Sequence, residues 1–216
     1  MLVSQAFEPY TGPPPFRSKI RLWGRLVDAT GRLGTTRFSI GDSHPSGRRR
    51  TDVHGVWTGE GWLLTWGLAG DPRELGFRVH TGFATPEGTF TPAPVSDGLE
   101  NTFSPRLWAQ GDSALLAVRA RTGVRLVTLD AKGRAVGSPR DLGVGGELLT
   151  VSRAGVFTWG TRLTSFARVT PHEVTVETLA NRQPGVGHNP REGAWGQGEV
   201  LLWLGGSEPG LWVFEP

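Results

Sequence analysis

The sequence predicts an all-β fold, and three observations carry that prediction. Glycine and proline are abundant, with 32 and 16 in 216 residues, against ordinary shares of roughly 7% and 5%. They are the two poorest helix formers, which argues against a helical bundle. Apolar residues fall in short runs rich in Val, Leu, Trp, Phe and Thr, bounded by Gly-containing turns, as strands do. The runs recur along the chain, and no window carries an i, i+3, i+4, i+7 stripe over three helical turns. With 37% hydrophobic and 20% charged residues the composition is that of a folded chain. Its length suits one domain that buries a core without covalent staples.

In chain order, residues 1–18 come first, with Pro9, Pro13, Pro14, Pro15 and Gly12. Successive prolines favour extended polyproline geometry, so this segment reads as an N-terminal arm. Residues 19–216 then read as a single domain. Leu2–Phe7 is a candidate strand for completing the last repeat.

Two hairpin signals recur. The first is a strand ending in Trp, a tight Gly turn with an acid, and a return strand. It reads Val56-Trp57-Thr58-Gly59-Glu60-Gly61, Leu107-Trp108-Ala109-Gln110-Gly111-Asp112 and Ala194-Trp195-Gly196-Gln197-Gly198-Glu199. A fourth copy, Leu148 to Gly155, lacks the Trp and the acid. The second signal is Asp28-Ala29-Thr30-Gly31, Thr85-Pro86-Glu87-Gly88, Asp130-Ala131-Lys132-Gly133 and the divergent Thr170-Pro171-His172-Glu173. Asp or Thr opens such a turn by bonding nearby backbone, and Gly supplies the positive φ.

The return strands centre on Leu64, Leu116, Phe157 and Leu201, at steps of 52, 41 and 44 residues. Each unit of about 46 residues therefore holds two hairpins, or four antiparallel strands. A period of 40–50 residues with four strands is the mark of a propeller blade, and a sandwich does not explain it. On these repeats the chain resembles small bacterial β-propeller repeat proteins over roughly residues 20–216. The likeness is architectural. It is no WD40 or sialidase-type array, because neither a Gly-His…Trp-Asp pair nor a Ser-x-Asp-x-Gly-x-x-Trp box occurs. Complete units run roughly 53–104, 105–146 and 147–192, with partial units at both ends. This implies five blades, or four if the two ends share one.

Candidate site residues follow from the repeat. Trp57, Trp108 and Trp195 read either as packing between blades or as an aromatic platform for a sugar or peptide. Glu60, Asp112 and Glu199 read as solvated turn acids, or as an acidic ring that binds sugar hydroxyls or a partner's arginine. Arg48, Arg49 and Arg50 form a charge run that could dock on an acidic partner. Arg182, His188, Asn189 and Arg191 lie in the longest polar connection, residues 181–192, which has the make-up of a recognition loop.

Chemistry is sparse. There is no cysteine, so disulfides, thiolate metal sites and a Cys nucleophile are excluded. The five histidines lack metal-ligand spacing, and the nearest approach to a cluster is His44 and His54 with Asp42 and Asp52. No Gly-x-Ser-x-Gly, P-loop or dinucleotide fingerprint occurs, and no metal or cofactor is implied. The net charge of +3 is small for 216 residues, and Arg48–Arg50 lack interleaved aromatics, which argues against nucleic acid as the partner. No apolar stretch is long enough to span a membrane, and no signal peptide is recognised. A cytoplasmic location is the default expectation, with a virion or surface assembly as the alternative. The expected function is a non-enzymatic binding or scaffold module with a protein partner. The alternative is a carbohydrate-binding, lectin-like module, and a hydrolase with acids facing a central channel stands third.

Overall fold

In a computed structural model, the described residues are 2–9, 18–28, 30–42, 53–69, 77–93, 102–145, 147–151, 155–159, 164–169, 174–180, 193–195, 198–203 and 210–214. Every element among them is a strand. They form five antiparallel sheets that follow one another along the chain. The first holds β1 (Leu2–Pro9), β2 (Ser18–Val27) and β3 (Leu33–Asp42). The second holds β4 (Val53–Trp57), β5 (Trp62–Ala69), β6 (Phe77–Ala84) and β7 (Phe90–Pro92). The third holds β8 (Phe103–Gln110), β9 (Ser113–Ala120), β10 (Gly123–Asp130) and β11 (Ala135–Asp141). The fourth holds β12 (Glu147–Val151), β13 (Gly155–Trp159), β14 (Thr164–Val169) and β15 (Val174–Ala180). The fifth holds β16 (Gly193–Trp195), β17 (Gly198–Trp203) and β18 (Gly210–Phe214). Each is a meander in which every strand pairs with its sequence neighbour.

Leu2–Phe7, expected to complete the last repeat, instead lies in β1 and pairs with β2, from Leu2 opposite Arg25 to Pro9 opposite Ser18. Eight residues in continuous antiparallel register satisfy the backbone groups of one β2 edge. That gain is local in sequence and needs no long-range closure.

The core is layered between sheets. Leu22, Phe38 and Ile40 of the first sheet meet Leu64, Trp66 and Ala84 of the second. Leu63 and Val79 of the second meet Leu107, Leu116, Val118, Val127 and Leu129 in the third. Ala117, Val124, Leu126, Leu142 and Val144, from the third sheet and the chain just after it, meet Val151 and Val156 of the fourth. Period-2 alternation explains this partition. Leu63 and Leu64 are adjacent in β5, point to opposite faces, and are both fully buried. In β10, Val127 and Leu129 face one neighbour while Val124 and Leu126 face the other. A strand covered on both faces reads as a continuous apolar run, which is why these segments stand out in the sequence.

The recurring turns close as their residues require. Asp28 Oδ1 accepts from Thr30 N, Thr30 Oγ1 and Arg32 N at 2.9, 2.6 and 2.9 Å. The side-chain bond from Thr30, then the backbone bond from Arg32, hold the Asp28 carboxyl below its ordinary pKa. Asp130 Oδ1 accepts from Lys132 N and Arg134 N at 2.9 and 2.8 Å. At Thr85 the hydroxyl takes over, accepting from Thr89 N at 3.3 Å. In all three, the Gly N–H donates to the opening residue's carbonyl at 3.0 Å, with φ of +83°, +89° and +83° at Gly31, Gly88 and Gly133. This is the three-residue hairpin loop in which a left-handed glycine forms the bulge. The Thr170–Glu173 turn lies outside the described residues.

Candidate functional site

Topology sorts the candidates onto two edges. In a four-stranded meander the first and third turns share one edge, and the second turn lies on the other. Contacts between sheets bring the β2–β3 turn of the three-stranded first sheet to the first-and-third edge of the second, and that edge to the same edge of the third. A Cβ at Gly88 would lie 3.7 Å from Leu26 Cδ1 and 3.9 Å from Thr36 Cγ2, beside the β2–β3 turn. One at Gly133 would lie 2.8 Å from Leu63 Cδ1 and 3.5 Å from Thr81 Cβ, close to the β4–β5 turn. Thr81 Oγ1 donates to the Gly133 carbonyl at 2.8 Å and locks the second sheet to the third there.

This turn edge carries Trp57, Glu60 and Asp112. Trp57 closes the β4–β5 hairpin opposite Trp62. The rings meet edge to face, with centroids 5.7 Å apart and planes at 67°. Trp62 packs against the cluster between the first two sheets, whereas Trp57 is 45% exposed. Between them, Thr58 N and Oγ1 both donate to the Gly61 carbonyl, at 3.0 and 3.2 Å. Gly59 takes φ +93°, and Glu60 stands exposed at the tip. Asp112 is exposed in the β8–β9 turn, after Gly111 at φ +59°.

The three tryptophans are not equivalent. Trp108 is half-buried, opposite Leu115, and packs toward the fourth sheet. Trp57, sharing a face with Trp62, looks toward the first. The β4–β5 loop has four residues, Thr58 to Gly61, and the β8–β9 loop has two, Gly111 and Asp112. Aligning Trp57 with Trp108 by sequence ignores this difference, and a one-residue change of phase turns a side chain to the other face. Trp195 closes the β16–β17 hairpin opposite Gly198. Glu199 lies inside β17, opposite Ala194 and Phe214, so it is a strand residue and not a turn acid.

Arg48, Arg49, Arg50, Arg182, His188, Asn189 and Arg191 lie outside the described residues. The strand ends flanking Arg48–Arg50, Asp42 and Val53, are at the edge opposite the turns. His54 Nδ1 accepts from Leu107 N at 3.2 Å and ties β4 to β8, while His44, Asp52 and the Asp42 side chain, its companions in the expected cluster, lie outside what is described. Among the described residues no group of three His, Asp or Glu could hold a metal ion, and no helix is long and apolar enough to cross a membrane.

The sequence reading passed over a second surface, the outer face of the first sheet. In β2 the even positions Leu22 and Gly24 are buried toward the second sheet. The odd positions Arg21, Trp23 and Arg25 take the other face by alternation. Arg37 Cζ lies over the Trp23 ring at 3.8 Å and Arg21 Cζ at 5.4 Å. Ser4 and Ser39 flank Trp23 across the sheet, and Ser4, Arg37 and Ser39 are exposed. The Arg-x-Trp-x-Arg alternation was the signal that could have found this face.

No protein-family model matches the chain, and no curated protein matches it. Among solved structures, it is similar to a Mycobacterium tuberculosis puromycin-hydrolyzing peptidase at 14% identity and a TM-score of 0.37. That alignment covers 99% of this chain and 45% of the peptidase chain, so this chain spans less than half of the peptidase's length. A likeness of that size transfers neither fold nor activity.

Proposed function

We propose that the chain is an open stack of propeller-type blades, one for each of its five sheets, and acts as a non-enzymatic binding module, with its turn edge holding a protein partner. Sheets that follow the chain and bury aliphatic faces against their neighbours support the blade reading. Trp57 carries the binding reading. A large aromatic, exposed at 45% yet held by Trp62 and a bonded four-residue loop, loses little freedom on contact. Interface energy concentrates on residues of this kind. Glu60 on the same hairpin adds a carboxylate that can accept from a partner's arginine.

Co-purification from the native source, with the wild-type chain and Trp57→Ala, tests this reading. A stoichiometric protein retained by wild type and lost by the variant is expected. A partner that survives Trp57→Ala removes the turn edge from the contact. The exposed indole beside Glu60 also suits a sugar, so a glycan array accompanies the experiment. Glycan binding without any protein partner would replace this reading with a carbohydrate-binding one.

A further inference from the structure

The interfaces from the first sheet to the fourth are aliphatic and aromatic. The outer face of the first sheet is built otherwise. The backbone register pairs Glu8 with Lys19 and Asp42 with Arg21. Arg25 stands opposite Arg37. Like charges directly across a strand pair are unfavourable unless an anion lies between them. The Arg37 guanidinium lies against the Trp23 indole, which supports it and leaves its N–H edge for an acceptor.

We propose that this face docks an acidic segment of a protein partner, whose carboxylates bridge Arg25 and Arg37. Charge complementarity names the occupant. A further sheet of the kind found between the others would bury guanidiniums without counter-charge, which desolvation makes unfavourable. Stacked nucleic-acid bases need an open aromatic face, and two guanidiniums lie over the Trp23 ring. An extended peptide with an acid at every second residue repeats each ~6.6 Å, the same-face spacing of β2 itself. The site is separate from the turn edge, and it stands or falls independently of Trp57.

The test is fluorescence anisotropy with a labelled ten-residue peptide alternating Glu and Ser, at low salt and near-physiological salt. Wild type is compared with the double variant Arg25→Ser/Arg37→Ser and with Arg121→Ser/Arg134→Ser, which removes the same charge from exposed turns elsewhere. Binding at least ten-fold weaker in the first double variant, and within two-fold of wild type in the second, supports the proposal. Relieving the Arg25–Arg37 repulsion should also leave the melting temperature unlowered. Arg37→Glu, at an exposed position, provides an independent charge reversal should the double variant misfold. Equal losses in both double variants would reduce the effect to net charge, and absent binding would end the proposal. It would equally be overturned by tighter Arg25- and Arg37-dependent binding of single-stranded RNA or anionic vesicles. Self-association through this face, seen by sedimentation, would overturn it too.

Discussion

Two glycines with the same φ of +83° face different surroundings. A Cβ at Gly31 meets nothing within 4 Å, while one at Gly133 comes within 2.8 Å of the buried Leu63 Cδ1. Gly31→Ala should therefore cost only the left-handed strain, about 1–2 kcal/mol. Gly133→Ala adds overpacking, for about 2–5 kcal/mol in total. Urea midpoints decide it, and equal losses would show that the inter-sheet contact relaxes freely. His80 is the other informative residue. Its half-buried ring stacks on Trp66, with centroids 5.7 Å apart and planes at 16°. Burial first, then the charge of Arg78, lowers its pKa from 6.5. The unfolded chain takes up this proton near pH 6.5 and the folded chain resists it. The His80 contribution is thus present above about 6.5 and is lost as pH falls toward the lowered folded value. Melting temperature should drop more between about pH 7.5 and about pH 5.5 in wild type than in His80→Phe, which keeps a ring on Trp66. Parallel drops would remove His80 from the acid response.

At the scale of elements, the turns were the most legible part of the sequence. Asp28 and Asp130 announce their loops because the bonds are local: a side chain reaches amides two and four residues on. Complete units of four strands were legible for the same reason, each strand pairing with its sequence neighbour. Facing was harder to read. It depends on loop length, and the four-residue loop after Trp57 against the two-residue loop after Gln110 moved Trp108 off the face assigned to Trp57. Glu199 was misplaced by the same step, because Gly198 already pairs with Trp195 and Glu199 falls inside the strand. The partner of β1 was illegible, since residues 2–7 could complete either terminal sheet by pattern alone, and register with β2 decides it. The basic face of β2 was legible by strict alternation. Its cations are spread along a strand, with Arg21 and Arg25 on either side of Trp23, and so form no consecutive run of the kind at Arg48–Arg50.

At the scale of the whole molecule, the described interfaces from the first sheet to the fourth form a linear series, in which successive sheets exchange apolar contact. Stability in such arrays is approximately a sum of unit and nearest-neighbour contributions, so damage should stay near where it is inflicted. Leu64 is fully buried in the cluster joining the first and second sheets, and Leu64→Ala should cost about 2–5 kcal/mol. Leu116 and Val127 belong to the next interface and do not touch that cluster's chemistry. Native-state hydrogen exchange then separates two behaviours. A linear stack loses protection in β2, β3, β5 and β6 while β9 and β10 keep most of theirs. A single cooperative unit loses protection evenly across all six strands. The first pattern is expected, because Leu63 and Leu64 point to opposite faces of β5 and each reports on a different interface. It would also explain how the outer face of the first sheet can carry charge. Among the described residues that face lies outside the three buried clusters, so its side chains answer to whatever docks there.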